Sequence, residues 1–433
     1  MSDGLSSRVL PGWTDPVGLF EALESVSTDV FWLDAGTDAR EGWSFIGTGD
    51  RAGDPDAVRV DADRGGADAP PFRGGWVGWC DYESGAAAAG APTAAAIGRS
   101  WLRARRVVAF DHENDRVWVL ADEADLDEWT AFVEEPLAAS AVSAVSGKGL
   151  LVDARHEPAE YMRLIERCRE LIRAGIAYQL CLTTRFTVPG RHDAVAAYLR
   201  LRAATPAHHG GFVRIGGRTL LSASPEQFLH AAGGVIRTRP IKGTRPRSPD
   251  PAEDAALAAE LAVNVKERAE NVMIVDLMRN DLSRVCEPGS IRVDGLWQVE
   301  SYPAVHQLVS TVSGRAAPGT TVGDLLRATF PAGSMTGAPK LSAMTRLHEL
   351  EGGQRGVYAG CFGYVGVDGS LDLAMVIRSI VIEETKAVVG AGGGITWGSV
   401  PAAEVAEVAT KARAPLAALG AVLPEHWGSD ILN

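Results

Sequence analysis

The apolar positions that follow Pro158 recur at helical spacing. Tyr161, Leu164, Ile165, Cys168, Leu171 and Ile172 share one face of a 3.6-residue period, and Gly175 supplies a stop. The pattern then becomes the apolar run of a strand over 178–188. The same criteria predict a short helix over 17–26 and strands over 31–34 and 43–47. The stretch 54–71, rich in Asp, Gly and Pro, reads as a loop. At 72–82 glycines alternate with large aromatics, as in a strand packed close against another backbone. Segments 105–110 and 116–120 flank Asp111-His-Glu-Asn-Asp115 as a hairpin. A helix is expected over 125–138, then a linker over 139–149, where the residues are small and polar.

Farther on, a strand over 220–228 breaks at Pro225. One long helix is expected over 251–278, and another over 341–350 opened by Pro339. Apolar strands over 356–367 and 372–382 are joined at Asp368-Gly369. A strand over 387–395 ends in Gly392-Gly393-Gly394, and a closing helix covers 402–419. Helices and strands interleave with no regular βαβ repeat, and the Asp-Gly turn implies antiparallel pairing. The pattern predicts a large α+β unit with extensive antiparallel sheet.

Composition narrows the class. The 433 residues are 46 % hydrophobic, ample for a core, and carry a net charge of −13. That charge argues against nucleic acid and against an anionic membrane surface as partners. No run of eighteen apolar residues is present, and the N-terminus lacks the pattern of a secretory leader. The five cysteines are scattered, without CxxC spacing, which fits reduced thiols and a cytoplasmic location.

Against this acidic background one stretch is conspicuous. Arg237-Thr-Arg-Pro-Ile-Lys-Gly-Thr-Arg-Pro-Arg247 crowds four arginines and Lys242 between prolines. It is not helical and is awkward as a central strand. Gly243 permits an approach that no side chain could share. The stretch is either an anion site or a basic edge on the surface. Two carboxylate pairs add to it. Glu267 and Glu270 lie three apart on one expected helix, and Glu404 and Glu407, with Lys411 beyond, on another. Such pairs can cage Mg2+ or merely face solvent. The glycine run 392–394, and the stretch 330–340 before a helix, could each offer backbone donors to an anion or simply be tight bends. His306 could be an acid or base, or a hydrogen-bonded core histidine. Arg378, inside an apolar strand, needs a partner from the protein or from a ligand carboxylate. No cysteine sits in a nucleophile elbow, and no Ser-His-Asp order is convincing.

Taken together, Pro240-Ile-Lys-Gly-Thr244, Lys266-Glu-Arg-Ala-Glu270, Asp276-Leu-Met-Arg-Asn-Asp-Leu282, Gly333-Ser-Met-Thr-Gly-Ala-Pro-Lys340 and Glu404-x-x-Glu407-x-x-x-Lys411 resemble the chorismate-utilising enzymes. The resemblance is dense over about 155–420 and weaker before that, at Gly74–Tyr82. It implies an α+β fold of the anthranilate synthase component I type, a two-sheet β-sandwich with outer helices. Residues 1–145 would be its N-terminal region and 150–425 its catalytic region. Within the family, Lys242 stands where the aminodeoxychorismate synthase component I branch has lysine and anthranilate synthases usually have alanine. Gln179 stands where the water-using members carry a lysine base, which implies ammonia as the nucleophile.

The resemblance further implies Mg2+ held by Glu270 and Glu407, with Glu267 and Glu404 beside it. Glu226 would protonate the departing hydroxyl, and Lys242 would attack the ring. Tyr358 and Arg378 would grip a carboxylate. Gly243, Thr244, Ser334, Gly392, Gly393 and Gly394 would cradle the substrate, with His306 and Lys411 as further site residues. The implied activity is amination of chorismate to 4-amino-4-deoxychorismate. The ammonia would come from a separate glutamine amidotransferase subunit, since no glutaminase elbow is present. Alternatives are anthranilate synthase component I and a non-catalytic chorismate-binding protein. Two departures stand out. Gly398 occupies a position where relatives often have Asp. Ser44-Phe-Ile-Gly-Thr-Gly49 replaces the Leu-Leu-Glu-Ser of feedback-regulated anthranilate synthases, so tryptophan feedback is not expected.

Overall fold

The computed structural model describes residues 4–37, 39–61, 69–93, 98–135 and 149–427. The expected linker lies outside them except for Gly149, as do the end of the helix expected to reach 138 and the middle of the 54–71 loop. Among the described residues, 20 strands join edge to edge through antiparallel pairs. The strand Arg99–Asp111 is the junction. One edge pairs with Trp43–Ala52, and the other with Gly75–Cys80 and then Arg116–Ala121.

Two arms leave this junction. The first runs through Trp43–Ala52, Val30–Asp34, His209–Ile215, Arg218–Ser224, Ser379–Glu383 and Lys386–Ile395 to Gln179–Pro189. The second runs through Gly75–Cys80, Cys361–Gly366, Leu371–Met375, Gln227–Ala232 and Val235–Thr238 to Val305–Arg315. That last strand also carries Ile241–Pro246 and Arg292–Ser301. The arms face one another as a sandwich. Leu33, Phe45, Val213 and Leu220 of the first share a core with Val77, Trp79, Phe362 and Ala374 of the second. Helices cover the outer faces. Tyr161, Ile165, Val405 and Val408 pack on the first arm, and Ile274, Met278 and Leu325 on the second. No helix among the described residues is long and apolar enough to cross a membrane.

The helices over 16–26 and 158–173, the 99–121 hairpin and the closing helix Pro401–Ala418 stand where periodicity puts them. Elsewhere local chemistry overrides it. The helix expected over 251–278 is two, Pro251–Val263 and Val265–Leu282, broken at Asn264. Asn264 is extended, and its Oδ1 accepts from Glu267 N at 3.1 Å, so a residue with a competing side chain caps a new helix. The stretch 237–247 is strand on both sides of Pro240, with Pro246 at a strand end where a missing donor does no harm. The strand expected over 372–382 is interrupted at 376–378, where Arg378 adopts φ 52°. A short helix, Tyr82–Ala88, follows the aromatic strand and is capped by Asp81.

One buried ion pair ties these parts together. The Arg355 guanidinium meets Glu351 at 2.6 and 2.8 Å and donates to the carbonyls of Met335 and Cys181 at 2.6 and 2.8 Å. Its face lies 4.2 Å from the Tyr82 ring centre. Glu351 also accepts from Thr183 N, and Glu83 accepts from the backbone of Arg355 and Gly356. Removing one member of a buried pair strands the other charge. Glu351→Ala should therefore lower stability by about 3–5 kcal/mol, read by urea unfolding. A loss below about 1 kcal/mol would mean that the guanidinium does not depend on that carboxylate.

Candidate active site

The free ends of the two arms leave between them a cavity of about 510 Å³. Its first wall is the strand Ile241–Pro246. Lys242 stands opposite Leu308 and Thr244 opposite Gln307, with Gly243 as an extra residue between them. Gly243 has φ +76°, and a Cβ there would come within 2.8 Å of Leu261 and 3.0 Å of Glu267, so only glycine fits.

The second wall is the start of helix Val265–Leu282, with Lys266, Glu267 and Glu270. The third is the strand end Gly390–Gly394. These glycines lie inside the strand, and the run 392–394 faces Thr183, Leu182 and Cys181 residue by residue, not in a loop beyond it. Their contribution is room. A Cβ on Gly390 would strike the Tyr358 ring at 2.1 Å. One on Gly394 would stand 2.7 Å from Gln179 Nε2 and 3.4 Å from Lys242 Nζ. Helix Pro401–Ala418 closes the cavity with Glu404, Glu407 and Lys411. Glu226 enters from the break after Pro225, Ser334 and Met335 from the turn held by Arg355, and Arg378 from the strained break at φ 52°.

The charges are arranged unevenly. Most arginines of the cationic stretch are taken up by acids. Arg239 pairs with Glu300, Arg245 with Glu260 at 2.7 Å, and Arg247 with Asp254 at 2.8 Å. Within the cavity Lys411 meets Glu407 at 2.6 Å and donates to Gly392 O at 2.8 Å, while Lys266 approaches Glu270 at 3.8 Å. Among the described residues Lys242 and Arg378 have no ion pair. Burial pushes Glu226 above the usual carboxylate range, against the pull of Ser334, Lys242 and Lys411. Burial raises Glu270 too, with Glu267 and Glu404 adding to it against Lys242 and Lys266. Glu404 is raised by burial and by Glu407. Burial acts on Glu407 as well, but Lys411, with Lys242 and Lys266, outweighs it and holds that carboxyl low. Burial lowers Arg378.

Among the described residues, no three His, Cys, Asp or Glu side chains are already drawn together as a metal cage. The donor set nonetheless fits a hard divalent cation. All four candidates are carboxylates facing one cavity, Glu270 Oε1 is buried without a hydrogen-bond partner, and neighbouring carboxylates raise one another.

A family profile described as chorismate binding enzyme matches residues 25–417. The chain belongs to the chorismate-binding enzyme family. It is 43 % identical over 366 residues to aminodeoxychorismate synthase of Streptomyces pristinaespiralis, covering 80 % of this chain and 51 % of that protein. It is 42 % identical over 375 residues to anthranilate synthase component 1 of Streptomyces coelicolor, covering 81 % of this chain and 73 % of the relative. The chain thus spans about half the length of the first of these relatives. Among solved structures, anthranilate synthase component I of Streptococcus pneumoniae superposes with a TM-score of 0.74 at 27 % identity, over 96 % of this chain and 93 % of that one.

In this family member the cavity gathers Lys242, Gly243, Thr244, Glu226, Ser334, Tyr358, Arg378, Gly392, Gly393, Gly394, Lys411 and the four carboxylates. Gln179 is fully buried beside Gly394, with both amide atoms lacking hydrogen-bond partners among the described residues. His306 is the exception. Strand alternation turns Val305 and Gln307 into the cavity and His306 away from it, where its ring bridges Ser301 Oγ at 2.8 Å and Asp254 at 3.0 Å. Lys340, ending the stretch 330–340, is likewise bound elsewhere, to Asp281 at 2.6 Å, and that stretch reaches the cavity through Ser334. Lys266 and Gln307 line the cavity without having been singled out, although Lys266 sits within one of the recognised motifs.

Two outcomes follow. His306→Gln should cost about 1–2 kcal/mol of stability through its lost hydrogen bonds yet leave ligand affinity within about twofold; a tenfold loss of affinity in a titration would put His306 back in the site. Glu226 binds its proton more tightly folded than unfolded, so its contribution to stability is greatest below the ordinary value of 4.5 and is lost as pH rises through the raised folded value. Glu226→Gln should therefore gain stability relative to the parent between pH 4.5 and neutrality. Parallel stability–pH curves from urea titrations would show that the carboxyl is not perturbed.

Proposed function

We propose that the protein aminates chorismate at ring carbon 4, giving 4-amino-4-deoxychorismate, with Mg2+ as cofactor and ammonia supplied by a glutamine amidotransferase. The observation that carries this is Lys242. Its amine, unpaired among the described residues, closes on the same point as the Gln179 amide. An amide cannot serve as a base for water, and a lysine here can serve as a nucleophile. Likeness to an aminodeoxychorismate synthase supports the reading.

Chorismate carries two carboxylates and one ring hydroxyl. Arg378 and Tyr358 hold one carboxylate, where the planar guanidinium suits it. Glu270 and Glu407, with Glu267 and Glu404 beside them, would hold Mg2+, and the bound ion would supply positive charge for the other carboxylate. The Lys242 amine forms a bond to ring carbon 2, both ring double bonds shift by one position (to carbons 1 and 6 and to carbons 4 and 5), and the bond from carbon 4 to the hydroxyl oxygen breaks. Glu226, kept protonated by burial, gives its proton to that oxygen, and water leaves. Ammonia then bonds to carbon 4, both double bonds shift back, and the bond to Lys242 breaks, restoring the amine. The proton shed by the new ammonium returns to Glu226. The sum is chorismate plus ammonia to aminodeoxychorismate plus water.

A second reading is anthranilate synthase component I, favoured by the 42 % identity to such a protein. It would place nitrogen on carbon 2 and release pyruvate. Product analysis from chorismate, Mg2+ and ammonium separates the two by mass and by pyruvate. Glu226→Gln should lower kcat by about 10²–10⁴-fold. Lys242→Ala should abolish amination at carbon 4 or divert it to carbon 2; aminodeoxychorismate formed by this variant at the parent rate would rule out the covalent role.

A further inference from the structure

Gln307 occupies the opposite face of the strand from His306 and looks into the cavity. It is 4 % exposed, and its Oε1 is buried with no hydrogen-bond partner among the described residues. Leaving a buried amide oxygen unpaired is costly, and native folds do it rarely. Two polar residues near it in the fold are satisfied from within the protein. His306 bridges Ser301 and Asp254, and Asn271, across on helix Val265–Leu282, accepts from Ser310 Oγ at 2.5 Å and reaches the carbonyl of Pro240. Gln307 is almost wholly buried and lines the cavity, so its amide oxygen meets solvent or ligand only through the cavity. Its missing partner must come from the cavity.

We infer that Gln307 is a ligand-binding residue whose side-chain oxygen accepts a hydrogen bond from an O–H or N–H donor of the bound molecule. The inference rests on the function proposed above. With its carboxylates ionised, chorismate has a single donor, the ring hydroxyl; the other donor in the reaction is ammonia. The cavity is already crowded with carboxylates and lysines. A neutral amide adds an acceptor there without adding charge, so it selects for a donor and not for an ion.

Gln307→Met keeps the length and removes the hydrogen bond. In the ligand-free protein the unfolding midpoint should stay level or rise, because an unpaired polar group has been deleted. Calorimetric titration with chorismate and Mg2+, without ammonium, should show affinity weakened about 5–30-fold if the hydroxyl is the donor. If ammonia is the donor, chorismate affinity holds and the KM for ammonium rises by that factor. The inference is overturned if both affinities match the parent, or if the ligand-free variant loses stability while binding is kept, since the amide would then be structural. Gln307→Leu repeats the measurement if the Met variant is insoluble. A parent that fails to bind chorismate overturns the proposed function itself, and with it the donor named here; a parent that binds it, with chorismate affinity and ammonium KM both unchanged in the variant, overturns Gln307 alone.

Discussion

The buried guanidinium of Arg355 is the constraint on which the site depends. Its side chain is 1 % exposed, and its donors are taken by Glu351 and by two carbonyls from separate segments. A buried ion pair adds little net stability, because desolvation opposes the attraction. What it does here is exclude alternatives. Only one arrangement of the strand at Cys181, the turn at Met335, the helix ending at Glu351 and the short helix at Tyr82 satisfies every donor at once. Two of those segments form cavity wall, and Tyr358 follows three residues after Arg355. The cavity is thus shaped by a charge that never faces it.

The same logic, reversed, governs the charges that do face it. In the stretch 237–247 acids neutralise Arg239, Arg245 and Arg247, so it is a clip and not a bare cationic surface. Lys411 and Lys266 are drawn to carboxylates. What remains is a site in which two cations, Lys242 and Arg378, lack ion pairs among the described residues, while buried carboxylates raise one another's affinity for protons. A dianionic ligand together with a divalent cation would complete that balance from both sides.

Much of this was legible in the sequence wherever a helix carried it. Glu267 and Glu270, or Glu404, Glu407 and Lys411, share a face by spacing alone, and helical periodicity fixes that face without a partner. Strands gave less, because alternation defines two faces and does not say which is inward. His306 and Gln307 are adjacent, and only the register opposite Thr244 decides between them. The glycine run was visible, but its use was not. Room for Tyr358, Gln179 and Lys242 is a property of neighbours distant in the chain. The break at Asn264 escaped because the surrounding residues continue a helical pattern, and a single side-chain cap ends it.

Overall similarity does not separate the two reactions, since identity to an aminodeoxychorismate synthase and to an anthranilate synthase component 1 differs by a single percentage point. Local geometry adds what identity lacks, the placement of Lys242. Leu308 is fully buried in the core, and the residue opposite it in a regular ladder would point to the same side. Lys242 holds that position, yet it lines the cavity. The bulge at Gly243 re-aims it, since an extra residue with positive φ bends and twists the strand there. Lysine at 242 and glycine at 243 therefore act as one device. A lysine without the bulge would be directed toward apolar core, and the bulge without the lysine would open the cavity and leave it without that amine.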